Sequence, residues 1–528
     1  MRRCGWDGTR LIAVILLASS AACASGSPSD ASRNAAVFRV TLSAEPPTLD
    51  WTLATDSVSI TVIENLMDGL TEFDDRLQPR PAIAARWDVS SDGTTYLFQL
   101  REDVYWTDGR RVTAGDFEYA WKRLLDPATA AEYAYFLYDI VNAQAYNTGR
   151  ITDAGLVGVR ALDDRTLRVE LNKPIVYFPS ITTFVVTFPL RRDLVERYGA
   201  RWTDPANLVT NGPFTLADWR HEYKVVLRAN GAYWQGRPAL DEVRMYVVND
   251  RSTALSLYET GGLDLVQLPP EAIPSHESDP QFSRVPMLRG YYYGFDVTAP
   301  PFDDPRVRRA FARAIDKAEL PKILRGGELP TDSWIPPGMF AHNPAIGLRY
   351  DPASARALLA AAGYPDGRDF PAVTAMYDTS PVNTLVAENL QAQWKRTLGV
   401  TVELENLEWK VYLKRLSSNP PRLFRLGWGA DYPDPDNFMA LFTGYSGNNH
   451  TRWRHAGYDG LIAQAASTAD PARRRRLYDE TQRILTEEEV PIIPLFFVSQ
   501  NYLVNPLVRG VRLNAMELLQ LKTVSIQP

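Results

Sequence analysis

The sequence predicts an α/β protein of two or three domains, on three observations. Its 528 residues exceed what one ordinary core organises. The second half alternates short strand-like runs with helix-like runs, the pattern of an α/β lobe. The first half carries apolar runs broken by tight-turn signals, which read as strand pairs. A composition of 45% hydrophobic and 23% charged residues fits globular domains and excludes a disordered chain.

The elements follow in order. Residues 38–42 (FRVTL) read as a strand, and Ile60, Ile63, Leu66 and Met67 sit at helix spacing within 56–70. Between 83 and 111, SSDGT and TDGR mark turns between strands. Thr113 to Asp116 has the form of a capping box, with Asp in place of the usual Glu, opening a helix that runs to Pro127. A second β-rich run covers 157–171. Asn211-Gly212-Pro213 is a turn signal, and strands follow over 223–248 and up to Val297. Asp304-Pro305 and Asp351-Pro352 each place a capping carboxylate before a proline suited to the first helical turn, and Gly363 suits a helix stop. A helix over 382–397, the strand VTVEL, a helix over 408–417 and the strand LFRLGW complete the alternation.

The N-terminus reads as an address. MRRCGWDGTR is short and net basic, and LIAVILLASSAA is an apolar run of about a dozen residues, below the roughly 20 that span a bilayer. Cys23 follows at once, and the pattern resembles a bacterial lipoprotein processing site, although Ser20 stands where a leucine is usual. The expectation is a signal peptide over 1–22, lipidation of Cys23 and a flexible tether over 23–35; the alternative is a plain signal peptide with Cys23 incidental. Residues 1–22 hold a net +2 within a total of −6, leaving −8 on the rest of the chain. An acidic body argues against nucleic acid as a partner. Both cysteines, Cys4 and Cys23, lie in the first 23 residues, so the body holds no internal disulfide and no cysteine nucleophile.

Residues 428–437 read WGADYPDPDN and follow an apolar, arginine-bearing run. Asp431 there is open to four readings: metal ligand, catalytic acid, turn cap, or clamp for a positive group. The spacing of Asp431, Asp434 and Asp436 departs from a calcium loop, which wants acids at positions 1, 3 and 5 and then a glycine. None of the five histidines forms a metal-ligand pair, and no nucleophile elbow, phosphate loop or dinucleotide fingerprint occurs. A glycosidase carboxylate pair stays open on spacing alone.

An ordered set of segments carries a resemblance: AEPPTLD, NLMDGL, VYWTDGRRVTAGDFEYAW, LLDPATAAEYA, VTNGPFTLADW, YYYGFDV, PPFDDPRVRRAFARAIDK, ENLEWKVYL and RLGWGADYPDP, over about residues 38–505. Together they resemble the oligopeptide-binding proteins of bacterial ABC importers, the family 5 extracellular solute-binding proteins. The resemblance implies a two-lobed periplasmic-binding-protein fold (type II) with an extra domain in the first lobe. Lobe I would be 36–71, 187–288 and 498–528, the extra domain 72–186, and lobe II 289–497. It implies a non-enzymatic, monomeric receptor without cofactor, exported and held to a membrane by lipid alone. Its partners would be short peptides and the permease subunits of the transporter. A receptor of the same fold for an oligosaccharide or metal chelate, and an extracellular hydrolase, are the alternatives.

On this resemblance Asp431 would bind the ammonium end of a peptide. A peptide amine is cationic near neutral pH, with a pKa of about 7.7–8, and its burial demands an opposite charge. Backbone at Trp428, Gly429 and Ala430, and at Ser59, Ile60 and Thr61 of the other lobe, would pair with the ligand by strand addition, which reads any sequence. Trp409, Tyr133 and Tyr293 match aromatic positions near the ligand, with core packing as the other reading. Asn383 replaces a charged residue that meets a peptide's carboxylate in the family; Arg325 or Arg425 would serve instead, against a surface or structural ion-pair role for each. The family's acidic residue at the Ser59 position is missing, and so is a cysteine pair that some relatives carry at Gly429 and Arg289.

Overall fold

The computed structural model describes residues 35–527; the expected signal peptide, Cys23 and nearly all of the tether lie outside them. Three sheets organise the chain. A four-stranded sheet joins Val37–Leu42 to Glu242–Val247 in parallel, followed by Lys224–Ala229 and Phe214–Arg220. An antiparallel sheet of Ala84–Val89, Thr95–Leu100, Thr166–Glu170 and Val159–Asp163 carries the helix Ala114–Leu125 against it. One core runs through both sheets, from Phe38 and Val62 to Phe98, Trp121 and Phe178.

The third sheet has seven strands and is mixed. Val373–Asp378 pairs in parallel with Val402–Leu407 and with the start of Leu423–Gly429. Helices Pro381–Leu398 and Trp409–Ser418 make the connections that parallel strands require. Two long strands, Phe282–Phe295 and Ile492–Val504, pair antiparallel along their length and complete the sheet. The core around Phe311, Trp394 and Tyr293 fills one face; Trp334, Phe438 and Tyr458 lie in the other.

Local chemistry explains where helices begin. Asp304, Asp351, Ser380, Asp434 and Asp470 each precede a proline and accept a hydrogen bond from a backbone N–H of the first turn. The side chain satisfies an orphan donor, and the proline sacrifices an N–H that the helix leaves unused. Thr113 and Asp116 form the expected capping box. Asp56 caps the helix Ser57–Leu66, which begins earlier than its apolar spacing suggests.

The Asn211-Gly212-Pro213 turn packs on the end of that helix. Gly212 N–H donates to Leu66 O at 2.9 Å, Asn211 Oδ1 accepts from the Asp68 N–H at 2.8 Å, and Asn230 Nδ2 donates to Gly212 O at 2.9 Å. A Cβ on Gly212 would stand 2.6 Å from Leu66 C and Met67 N, backbone atoms held inside the fold. Gly212→Ala is expected to cost about 2 kcal/mol through this overlap, read as a lowered urea midpoint at unchanged slope; an unshifted midpoint would show that the turn yields freely.

Candidate functional site

The strand Leu423–Gly429 turns from fully buried at Leu423 and Phe424 to half-buried from Arg425 onward. On one side it pairs along its whole length with Phe282–Phe295, from Phe295↔Leu423 to Arg289↔Gly429. On the other, only Leu423 and Phe424 have a strand partner, Ala375 and Met376. Among the described residues, no strand pairs with that edge from Arg425 onward: Tyr412 OH takes the Arg425 carbonyl, and from Gly427 the edge borders a cavity of about 370 Å³. Thr55, Ser57, Tyr133 and Phe184 line the facing wall.

The three aspartates beyond the strand have different tasks. Asp434 caps the helix Pro435–Met439 and takes two hydrogen bonds from the buried Arg474 guanidinium, at 2.8 and 2.7 Å. Asp436 is buried and accepts from Tyr177 at 2.8 Å and Tyr432 at 3.2 Å; burial, with Asp434 nearby, pushes its pKa up to about 6. Asp431 alone lines the cavity. Its carboxylate takes long hydrogen bonds of 3.4 Å from Asn437 Nδ2 and from Tyr135 OH, both on Oδ2. Burial raises its pKa to about 6, and only those two donors oppose the shift. No cation among the described residues contributes.

Asn437 organises this corner. It is 7% exposed, and its Oδ1 accepts from the Trp428 indole at 2.8 Å and from the Asp431 N–H at 3.1 Å. One side chain thus fixes the strand end, the following backbone and the carboxylate.

The structure brings some expected residues together and not others. Trp428, Gly429, Ala430, Asp431 and Tyr133 line one cavity, as do the side chains of Ile60 and Thr61. Strand addition at Ser59, Ile60 and Thr61 is corrected: they lie within the helix Ser57–Leu66, the Ile60 N–H bonds to Asp56 O and the Ser59 N–H to the Asp56 side chain. Just before the helix, the cap Asp56 is extended and Thr55 lines the cavity. Tyr293 is 0% exposed, packed on Trp394 in the core, because the cross-strand face it shares with Arg425 is covered by helix Pro381–Leu398. Trp409 is 45% exposed at the start of its helix and is not among the residues lining the cavity.

The carboxylate-binding expectations also change. Asn383 is buried in the first turn of its helix, accepting from Tyr291 OH at 2.9 Å and donating to Asp378 O at 2.9 Å, so its amide is already satisfied. Arg425 takes the structural alternative: Nη1 donates to Asp378 at 2.8 Å, with the guanidinium 4.2 Å from the Tyr291 ring centroid. Arg325 is exposed, in a left-handed conformation ending the helix Leu320–Leu324, away from the cavity lining. Asp431 itself lies two residues past the strand end at Gly429.

Sequence reasoning missed Asn437, Tyr135, Arg289 and Glu517. Asn437 closes the decamer that holds Asp431, and a buried asparagine six residues beyond a carboxylate is a readable positioning signal. Tyr135 and Glu517 carry no local signature, since they reach the site through tertiary packing. Among the described residues, no group of three or more His, Cys, Asp or Glu is placed to hold a metal, and no helix is long and apolar enough to cross a membrane.

A cavity against an unpaired strand edge, with two long strands, Phe282–Phe295 and Ile492–Val504, running beneath it, defines a two-lobed solute-binding protein. The chain belongs to the bacterial extracellular solute-binding proteins, family 5, whose model matches residues 78–450. It is similar to the oligopeptide-binding protein OppA of Bacillus subtilis, 33% identical with 96% of each chain covered. Among solved structures it resembles the unliganded open form of the periplasmic murein tripeptide binding protein MppA, with a TM-score of 0.83 and 31% identity over 94% of this chain and 98% of that one. It also resembles Haemophilus influenzae OppA in complex with RPPGFSPFR, with a TM-score of 0.74 and 28% identity over 94% of this chain and all of that one.

An acid whose folded pKa lies above the unfolded value of about 3.9 weakens folding once it ionises. The Asp431 penalty is absent below about pH 4, grows as pH rises to about 6 and is constant above. Asp431→Asn is therefore expected to raise stability by roughly 1 kcal/mol at pH 8 and to change nothing at pH 4, as read from urea midpoints at both values. A loss of stability at pH 8 would show that the carboxylate serves the apo fold.

Proposed function

We propose that this protein is the substrate-binding component of an ABC importer, which captures short oligopeptides between two closing lobes and delivers them to a membrane permease. One observation carries the reading. A carboxylate without a cationic partner sits at the end of an unpaired strand edge, facing a cavity. A peptide supplies what both features lack: its ammonium end neutralises Asp431, and its backbone occupies the vacant edge. Two relatives over 30% identical are named oligopeptide-binding and dipeptide-binding proteins, which supports the reading.

In this reading lobe I comprises 36–71, 187–288 and 498–528, with 72–186 as its extra domain, and lobe II comprises 289–497. Strands Phe282–Phe295 and Ile492–Val504 cross both late boundaries and form the hinge. Closure around the guest removes water from Asp431, which strengthens its pairing with the amine. The receptor performs no covalent chemistry, acts as a monomer and is tethered outside the cytoplasmic membrane through lipid on Cys23.

The test is calorimetric titration with tripeptides and their N-acetylated forms. Acetylation is expected to weaken binding about 100-fold or more, and Asp431→Asn to erase that difference. Affinity for the free-amine form should be highest between about pH 6, where Asp431 ionises, and about pH 8, where the amine loses its proton. Equal binding of free and acetylated peptides would remove the amine clamp and point to another solute.

A further inference from the structure

Among the described residues, three charged ones line the strand-edge cavity: Asp431, Glu517 and Arg289. Arg289 is the one cation of these, and its placement follows from sheet geometry. It lies directly across from Gly429 on the paired edge, so both residues present the same face of the sheet. A Cβ on Gly429 would stand 3.2 Å from Arg289 Nε and 3.5 Å from Nη2. The guanidinium therefore lies over Gly429, in space that any other residue would fill, and points toward the vacant edge.

A guest strand added to that edge continues the same row. Neighbouring strands lie about 4.8 Å apart, and residues facing one another across a pair share a face. The guest residue opposite Gly429 thus projects its side chain onto the face where the guanidinium rests, with no side chain between them. Asp431, which takes the amine in the reading above, is two positions along from Gly429. The residue opposite Gly429 is therefore one of the first two of the guest.

Arg289 is also the member of its ion pair that is free to change partner. Its Nη2 reaches Glu517 Oε2 at 3.2 Å, with half of the arginine side chain exposed. Glu517 is held independently. Its Oε1 accepts from Gln500 Nε2, and the side-chain oxygen of Asn514 takes the N–H groups of Met516 and Leu518 on either side of it. Removal of Arg289 from Glu517 leaves that carboxylate with a donor, whereas Arg289 has no second carboxylate within ion-pair distance among the described residues.

We propose that Arg289 is a specificity-determining residue that selects peptides carrying an acidic side chain at one of their first two positions. This inference rests on the peptide reading above. A carboxylate there gains a charge-assisted, fork-shaped partner as the cleft closes, which the isosteric amide gains only weakly.

The test is calorimetric titration with Glu-Ala-Ala, Ala-Glu-Ala and Ala-Ala-Glu, each against its Gln counterpart. The tighter of the first two is expected to exceed its Gln counterpart about tenfold, and Ala-Ala-Glu to show a ratio near one. Arg289→Met should bring every ratio to one. Glu517→Gln, which releases Arg289 without removing it, should widen the favoured ratio and keeps the test valid if the methionine variant folds poorly. A wild-type ratio near one at both leading positions, with free and acetylated peptides still distinguished, would overturn this inference alone. Loss of that distinction would overturn the peptide reading with it.

Discussion

A carboxylate drawn out of water without a cation is the constraint around which this molecule is arranged. Asp431 has two hydrogen bonds at the long end of the range and no positive neighbour, so burial holds its pKa well above the ordinary carboxylate value. The fold tolerates this because the surroundings of Asp431 are fixed independently of its charge. Asp434 is locked to Arg474 and Asp436 to two tyrosines, and Asn437 ties the Trp428 indole to the Asp431 backbone. Of the three aspartates in this turn, Asp431 alone keeps capacity for an incoming donor.

The second constraint is the strand edge. Val373–Asp378 pairs with Leu423–Gly429 only at Ala375 and Met376, while Leu423–Gly429 continues for another five residues beyond Phe424. Unpaired backbone is ordinarily a liability, because it templates unwanted strand pairing. Here the edge lines a cavity that Thr55 and Ser57, at the start of the helix Ser57–Leu66, also line. The turn after the strand also meets a distant segment: Tyr432 stacks on Tyr177 at 5.2 Å between ring centroids.

The arginine over Gly429 shows how a side-chain absence has structural content. Two glycines, Gly427 and Gly429, add no side chain to that face of the strand; Tyr291 and Arg289 lie across from them, and the Arg425 and Arg289 guanidinium groups come close instead. The general backbone recognition of a strand edge and a selective charge can therefore coexist in one row of the sheet.

Much of the architecture was legible in the chain itself. Capping residues before prolines mark helix starts, because the local hydrogen bond and the ring's fixed φ require no distant partner. Strand runs such as LFRLGW, and the ordered motifs that identify the family, are local as well. Asp431 was legible as a carboxylate in need of a purpose. What the other residues do was decided by tertiary packing: whether Tyr293 meets solvent or core, whether Arg425 is free or bound to Asp378, and whether residues 59–61 are strand or helix. Their types and spacings permit either outcome, and the choice rests on groups up to hundreds of positions away, as with Tyr135 and Asp431. Fold class and the presence of a carboxylate at position 431 follow from local residue patterns; which side chains surround that carboxylate was settled by folding, because burial and pairing are properties of neighbours in space.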